Sequence, residues 1–243
     1  MEERFRELME QGLEEYPIRL SQRQMEHFYE YYQLLLQWNK VMNLTAITEL
    51  EEVVTKHFVD SLSLVKVMDR EMLEGGKALD LGTGAGFPGI PLKIAFPDMN
   101  MVLADSLNKR IKFLDEVIGR LGLSDVRAVH GRAEDLGRDK EYRERFDLCV
   151  SRAVANLATL SEYCIPFVKI GGYFVSYKSG NGREETELAK GALKLLGGRL
   201  DEVKEFVLPG SDIGRTLITI KKIEGTAKRY PRKAGMPGKE PLH

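Results

Sequence analysis

Four glycines in a short stretch constrain this chain more than any other feature. Lys77–Ile90 reads KALDLGTGAGFPGI, with Gly82, Gly84, Gly86 and Gly89 following the apolar run Ala78–Leu81. A strand that runs into closely spaced glycines, with a helix starting at Gly89 or Ile90, makes a tight turn where a ligand can approach the backbone directly. Such turns belong to α/β folds, at the carboxyl edge of a parallel sheet.

The pattern around the turn agrees. Short apolar runs at Ala78–Leu81, Met101–Ala104, Val126–Val129, Phe146–Val150 and Tyr173–Tyr177 alternate with helical periodicity. One helix carries Ile111, Leu114, Val117, Ile118 and Leu121 and stops at Gly122. Another runs through Leu157, Leu160 and Ile165. Alternation of this kind predicts a mostly parallel sheet with helices on both faces. Val203–Leu208 and Thr216–Ile223 are joined through Pro209-Gly210-Ser211-Asp212, a connection too short for a crossover helix, so these two strands pair antiparallel. Residues 1–72 read as helical. Ser21–Gln24 is a capping-box pattern, followed by an apolar face at Met25, Phe28, Tyr29, Tyr32, Leu35 and Leu36. Asn39 and Asn43 flank the end of that helix. Thr48–Glu51 offers a second capping box, and His57–Met68 reads as one more amphipathic helix. The expected organisation is a helical segment over 1–72, a ligand-binding α/β domain over 73–227 and a basic, proline-containing tail over 228–243.

Composition narrows the function classes. The longest charge-free runs, such as Leu81–Leu92, are too short to span a bilayer, and the charged N-terminus MEERFRELMEQ lacks an apolar signal core. Two cysteines, Cys149 and Cys164, are too few for a disulfide framework or a zinc ribbon. His57 has no ligand partner at a metal-binding spacing, and no metal is expected. A cytoplasmic setting follows. The net charge of −1 hides an asymmetry. Residues 1–30 hold eight acids against four arginines, whereas residues 215–243 hold eight bases against two acids. A basic end on a neutral protein suits a polyanionic partner as well as it suits a solvated tail.

The glycine loop satisfies two patterns. Gly84-x-Gly86-x-x-Gly89 fits the dinucleotide fingerprint. Gly82-x-Gly84-x-Gly86, with Asp80 in the preceding strand, looks like the loop of S-adenosylmethionine-dependent methyltransferases. Three features favour the second. Asp80 sets a carboxylate beside the loop, which suits an ammonium or sulfonium better than a pyrophosphate. Asp105, with Ser106, ends the second strand where a carboxylate accepts ribose hydroxyls, a feature that alone suits either cofactor. Arg132-Ala133-Glu134-Asp135 follows the third strand, where such enzymes bind the adenine edge. The end of the fourth strand, Phe146–Ala155, lacks the Asp/Asn-Pro-Pro-aromatic clamp used for exocyclic amines. Cys149 sits inside an apolar strand and reads as an inert thiol. An acceptor already nucleophilic at neutral pH remains. Guanine N7 has a free lone pair and needs no general base, so direct in-line transfer without a covalent enzyme intermediate suffices.

Several motifs carry a family resemblance. They are Trp38-Asn-Lys-x-x-Asn-Leu-Thr45, His57-x-x-Asp-Ser61, Leu79–Pro91, Ser151-Arg-Ala-Val154 and Tyr230-Pro-Arg-Lys-x-Gly-x-Pro237. Through them the chain resembles the glucose-inhibited division protein B family of 16S ribosomal RNA guanine-N7 methyltransferases over nearly its whole length. The resemblance implies the class I methyltransferase fold: a Rossmann-like seven-stranded sheet, mostly parallel, with an antiparallel C-terminal hairpin and an N-terminal helical cap. It implies S-adenosylmethionine as cofactor and guanine 527 of 16S RNA, free or in the 30S subunit, as target. It places cofactor contacts on Gly82, Phe87, Ala133, Glu134 and Arg152, with Asp105 at the ribose. With the residue reading, the candidate cofactor set is Asp80, Gly82, Gly84, Gly86, Phe87, Asp105, Ser106, Ala133, Glu134 and Arg152.

Read by itself, Phe87 could pack the loop against the sheet and Arg152 could be a surface arginine; at the end of strand four, Arg152 is placed to meet the methionine carboxylate or the RNA. Trp38 reads as a helix-packing residue and His57 as a hydrogen-bonding one. Lys228, Arg229, Tyr230, Arg232, Lys233 and Lys239 form the candidate RNA contacts, with the tyrosine stacking on an unpaired base. No helix is expected in this tail. A monomer is expected. A nucleotide-linked oxidoreductase and a non-catalytic RNA-binding module are the rival readings.

Overall fold

The computed structural model of the protein describes residues 2–153, 155–180 and 182–243. Seven strands form one sheet: β1 (Lys77–Leu81), β2 (Asn100–Asp105), β3 (Val126–His130), β4 (Phe146–Ser151), β5 (Val168–Lys178), β6 (Gly198–Val207) and β7 (Gly214–Lys222). Their order is β3-β2-β1-β4-β5-β7-β6. The first five run parallel, β1 pairing β2 and β4 and β5 pairing β4. The β6–β7 hairpin returns so that β7 lies antiparallel to β5. Strand order reverses at β1/β4, and the crevice there opens at the carboxyl ends of the parallel strands, the binding edge of such sheets. Because β7 runs the other way, its beginning joins that edge: Lys178 at the end of β5 pairs with Thr216.

The N-terminal segment starts with α1 (Glu3–Leu13) and α2 (Gln22–Met42). It continues through α3 (Leu50–Val53), a π-helical turn (Val54–Val59), α4 (Asp60–Leu62), a 3₁₀ turn (Ser63–Lys66) and α5 (Arg70–Gly75). The capping box at Ser21 and Gln24 forms, and Asn43 closes α2 in the left-handed conformation. The buried face of α2 is Met25, Phe28, Tyr31, Leu34 and Leu35; Tyr29 and Tyr32 of the expected face lie at its margin. The box expected at Thr48 does not form. Glu49 is the N-cap and its side chain makes no capping bond. The helix expected over His57–Met68 is instead the π, α and 3₁₀ succession. One extra residue in a turn re-aims the side chains that follow it.

The crossover helices are α6 (Gly89–Ala95), α7 (Asn108–Leu121), α8 (Ala133–Leu136), α9 (Leu157–Cys164) and α10 (Gly182–Leu195). Two hydrophobic layers flank the sheet. Phe5, Phe28, Tyr31, Phe58, Leu103 and Phe113 meet on the face covered by the N-terminal helices, so the cap shares a core with the α/β domain. Leu79, Cys149, Leu160, Phe174 and Ile218 pack on the other face with α9 and α10. No helix among the described residues is long and apolar enough to cross a membrane.

The tail is folded onto the body, contrary to the extended segment expected. Tyr230 is 6% exposed and belongs to the second core. Glu162 of α9, fully buried, receives the Arg232 guanidinium through both oxygens and also the Arg232 backbone N–H. Arg143 donates to the carbonyls of Thr226 and Tyr230, and Arg138 to that of Pro231. A short helix, α11 (Met236–Lys239), ends the segment, and Thr159 bonds the Pro237 carbonyl. Tyr230 is therefore not available to stack on a base, and Arg232 is spent on Glu162. Lys228, Arg229, Lys233 and Lys239 remain exposed. Replacing Tyr230 by alanine is expected to lower stability by about 3 kcal/mol, as for other large buried rings. Arg232→Ala, which strands a buried carboxylate, is expected to cost a similar amount, about 3 kcal/mol. Urea unfolding measures both, and a shift under about 0.5 kcal/mol, the range of an ordinary surface change, would return the segment to the status of a loose tail.

Candidate active site

The loop after β1 is held from behind. The Gly82 and Thr83 amides donate to the Ala104 carbonyl at 2.8 and 3.2 Å, continuing the β1–β2 ladder past its end. Asp80, fully buried, accepts at one oxygen from Thr83 Oγ1 (2.6 Å) and from the Gly89 amide (2.8 Å). Burial pushes its carboxyl up to about 6, against the Thr83 and Gly89 hydrogen bonds; its second oxygen has no partner. Asp80 is thus first a staple across the turn. It also takes the first amide of α6, where a dinucleotide pyrophosphate would sit, which argues against the oxidoreductase reading.

The four glycines divide into two pairs. A side chain at Gly82 (φ +72°) or Gly84 (φ +62°) would meet no protein atom within 4 Å, so these two leave an open face at the sheet edge. At Gly86 a Cβ would strike Ile90 and the Tyr31 hydroxyl at 2.7 and 2.8 Å, and at Gly89 it would strike Leu103 at 2.2 Å. Gly86, expected to touch the cofactor, is small so that the loop can pack on α2 and α6. The Tyr31 hydroxyl donates to the Ala85 carbonyl, and Tyr31 lies 5.4 Å from the Phe87 ring.

Asp105 stands at the end of β2, 3% exposed. It accepts from the Gly84 amide (2.9 Å), the Leu107 amide (2.9 Å) and Arg110 (3.1 Å). The partly exposed Arg110, absent from the sequence reading, is the partner that ribose hydroxyls would displace. Ser106 is exposed beside it, its carbonyl 3.1 Å from His130 Nε2. Ala133 and Glu134 open α8, and Glu134 Oε1 accepts from the Gly235 amide of the tail at 2.9 Å. The tail therefore borders the expected adenine edge.

The least legible part of the site lies on the other side of the loop. His57 stacks on Phe87, with centroids 4.4 Å apart and planes 18° apart. The Arg152 guanidinium sits 5.1 Å over the same ring. Arg152 donates to Asp60 (2.9 Å), to the Lys56 carbonyl (3.1 Å) and to His57 Nδ1 (3.3 Å). Arginine can only donate, so Nδ1 accepts and the His57 proton resides on Nε2, facing Thr45 Oγ1 at 2.9 Å. The other Asp60 oxygen accepts from Arg215 Nε at 3.0 Å. Phe87 is 6% exposed and Arg152 partly buried, so neither is a surface residue. Val154 of the Ser151–Val154 motif lies outside the described residues. Cys149 is fully buried in β4, and burial, with Cys164 beside it, pushes its thiol well up. Trp38 packs against Phe113 at 5.7 Å.

A sheet of this order, with an open glycine turn after β1 and a carboxylate ending β2, defines a class I S-adenosylmethionine-dependent methyltransferase fold. The Burkholderia thailandensis 1,6-didemethyltoxoflavin-N1-methyltransferase, solved with its 1,6-didemethyltoxoflavin and S-adenosylhomocysteine, superposes with a TM-score of 0.55. The match covers 81% of this chain and 90% of that one at 14% identity, a likeness of fold. Within the class, the chain belongs to the GidB family, described as rRNA small subunit methyltransferase G, which matches residues 24–213. The ribosomal RNA small subunit methyltransferase G proteins of Lachnoclostridium phytofermentans and Acetivibrio thermocellus are 57% and 49% identical to it. They cover 96% and 98% of this chain, and 95% and 97% of their own lengths.

Two outcomes follow from the geometry. Burial, then the Arg152 charge, lowers the His57 value from 6.5 to about 3, so protonation favours the unfolded chain. Its contribution to stability is complete above pH 6.5 and is lost as pH falls towards about 3, by up to about 1.4 kcal/mol per pH unit. Asp80 acts oppositely between 3.8 and about 6, where the folded chain is the better proton acceptor. Comparing wild type with His57→Gln cancels the Asp80 share. The urea midpoint should fall more steeply for wild type between pH 7 and pH 5, and equal slopes would mean that His57 titrates as if in water. The second outcome concerns Gly84→Val, which forces a β-branched residue to φ +62° on the open face. Calorimetry should show no S-adenosylmethionine binding to a folded variant, and retained affinity would place the ligand elsewhere.

Proposed function

We propose that this chain transfers the methyl group of S-adenosylmethionine to N7 of a guanine in 16S ribosomal RNA, guanine 527 by the family resemblance. The observation that carries the reading is the open face at Gly82 and Gly84 beside Asp105, with Arg152 stacked on Phe87 at the same edge. The open backbone admits the methionine and ribose portions of the cofactor, Asp105 suits the ribose hydroxyls, and Ala133–Glu134 lies where adenine would rest. Bound S-adenosylmethionine supplies an electrophilic methyl carbon on a sulfonium.

The chain's own residues need do little chemistry. Guanine N7 offers its lone pair, the new N–C bond forms as the S–C bond breaks, the electron pair leaves with sulfur, and no proton moves. Orientation and electrostatics supply the rate. Phe87, in the glycine loop, and Arg152, stacked on it, are the groups best suited to orient cofactor and acceptor, and His57 and Asp60 hold Arg152 in place. The buried, unactivated Cys149 argues against a covalent route through a cysteine. The exposed bases Lys228, Arg229, Lys233 and Lys239 suit the RNA phosphates, and a ribosomal substrate suits a cytoplasmic enzyme acting as a monomer on free 16S RNA or on the 30S particle.

The test is transfer of labelled methyl from S-adenosylmethionine to unmethylated 16S RNA, free and in 30S subunits, with the modified base mapped. Labelling of one guanine, at N7, is expected; binding of NAD in place of S-adenosylmethionine, or RNA binding without transfer, would favour the rivals. Cys149→Ser should retain most of the transfer rate. Abolition of transfer in a folded variant that binds cofactor would revive a cysteine nucleophile.

A further inference from the structure

Asp60 holds two arginines, and only one of them belongs to the cofactor side. Its carboxylate is 3% exposed. One oxygen takes Arg152 and the other takes Arg215, whose side chains each remain 18% exposed. Two guanidiniums on one carboxylate leave an excess positive charge at a partly dehydrated place. His57 adds no charge, since burial and Arg152 keep it neutral, and Lys56 is paired with Glu52.

The donor inventory points outward. Arg152 spends both Nη1 hydrogens on Lys56 and Asp60 and one Nη2 hydrogen on His57. Arg215 spends Nε on Asp60 and one Nη1 hydrogen on the Gly214 carbonyl, which leaves both Nη2 hydrogens and one Nη1 hydrogen without a partner among the described residues. A partly exposed guanidinium that is anchored through Nε and keeps Nη hydrogens unspent can receive the oxygens of a phosphate.

Place in the fold selects the ligand. Arg152 lies against Phe87 of the cofactor loop, whereas Arg215 begins β7, one Asp60 carboxylate further along the same edge. Phe87, Arg152, Asp60 and Arg215 thus form one chain of contacts that runs from the glycine loop to β7, with the unspent donors at its far end. We propose that Arg215 is a phosphate anchor for the RNA at the target nucleotide, and that Asp60 sets its spacing from the cofactor-facing Arg152. This rests on the RNA-methyltransferase reading, and deepens it by naming the residue that grips substrate rather than cofactor.

The experiment measures binding of a 16S RNA fragment containing the target loop, at several salt concentrations, by the full chain and by Arg215→Gln and Arg215→Lys. Methyl transfer by wild type is measured separately, so failure of the activity and failure of the anchor are distinguishable. Arg215→Gln should bind the RNA several-fold more weakly at 0.1 M salt and lose about 0.7 from the logarithmic salt slope, the share of one phosphate on a single strand. Arg215→Lys keeps the charge and should keep the slope with a smaller loss of affinity. S-adenosylmethionine affinity should be unchanged in both. Unchanged RNA affinity and slope in folded Arg215→Gln would make Arg215 a structural brace only, and a parallel loss of cofactor affinity would assign it to the cofactor site; either result overturns the proposal. Phenylglyoxal labelling of the wild-type chain gives a readout independent of variant folding. RNA should protect Arg215, and equal labelling with and without RNA would also overturn the anchor.

Discussion

The buried Asp60 carboxylate is the interaction on which the arrangement of the site depends. It comes from the N-terminal segment, it holds Arg152 from the end of β4, and it holds Arg215 from the start of β7. Those elements are far apart in sequence, and only the folded sheet brings β4 and β7 to one edge with β5 between them. A carboxylate removed from water is costly unless it is paired and hydrogen-bonded, and two guanidiniums meet that requirement. The N-terminal helices are thus more than a cover: Asp60, His57 and the Lys56 carbonyl, all from this segment, hold Arg152 over Phe87. The π turn at Val54–Val59 gains a structural meaning here, because it immediately precedes Asp60 and contains His57, and so sets how both face the glycine loop.

A second anchoring logic governs the opposite end of the cofactor site. Asp80 and Asp105 are both buried carboxylates at strand ends, yet they do different work. Asp80 turns inward and ties β1 to the first amide of α6, while Asp105 turns along the edge and receives the Gly84 amide and Arg110. The environment separates them: Asp80 lacks a cationic partner in contact and burial pushes it upward, whereas Asp105 has a guanidinium at hand. Of the two, only Asp105 has a partner, Arg110, that is itself partly exposed.

The parts of this architecture that sequence patterning reached are those decided locally. β1, β2 and β4 are apolar runs because both faces of a central strand are covered, and the stop at Gly122 is a left-handed helix end. The β6–β7 hairpin followed from a connection too short for a helix. What was not legible is decided by distant contacts. α10 escaped notice although Thr186, Ala189, Ala192 and Leu193 line its buried face, because small residues make a weak apolar stripe. The long β6 showed only its second half, since its exposed edge is rich in Asp, Glu and Lys. At the candidate site, the glycine turn and the strand-end Asp105 were legible from spacing, whereas Phe87 and Arg152 were pointed to only by the family resemblance. The packing roles of Gly86 and Gly89, the clamp by Asp60, and the part of Arg215 depend on which helix or strand lies behind them, and no spacing encodes that.

The tail shows how composition misleads when one buried residue outweighs many exposed ones. Five bases and three prolines read as a helix-free tail open to RNA or solvent, and four of those bases are exposed. Tyr230 nevertheless reaches the second core, and Arg232 neutralises Glu162, a fully buried acid that would otherwise be untenable inside α9. Since the Gly235 amide then meets Glu134 at the expected adenine edge, the same segment that displays basic side chains also borders that edge. Arg232 on Glu162 and the Gly235 amide on Glu134 pin the segment at two points, so Lys228, Arg229 and Lys233 stand on an element fixed to the body and not on a loose end.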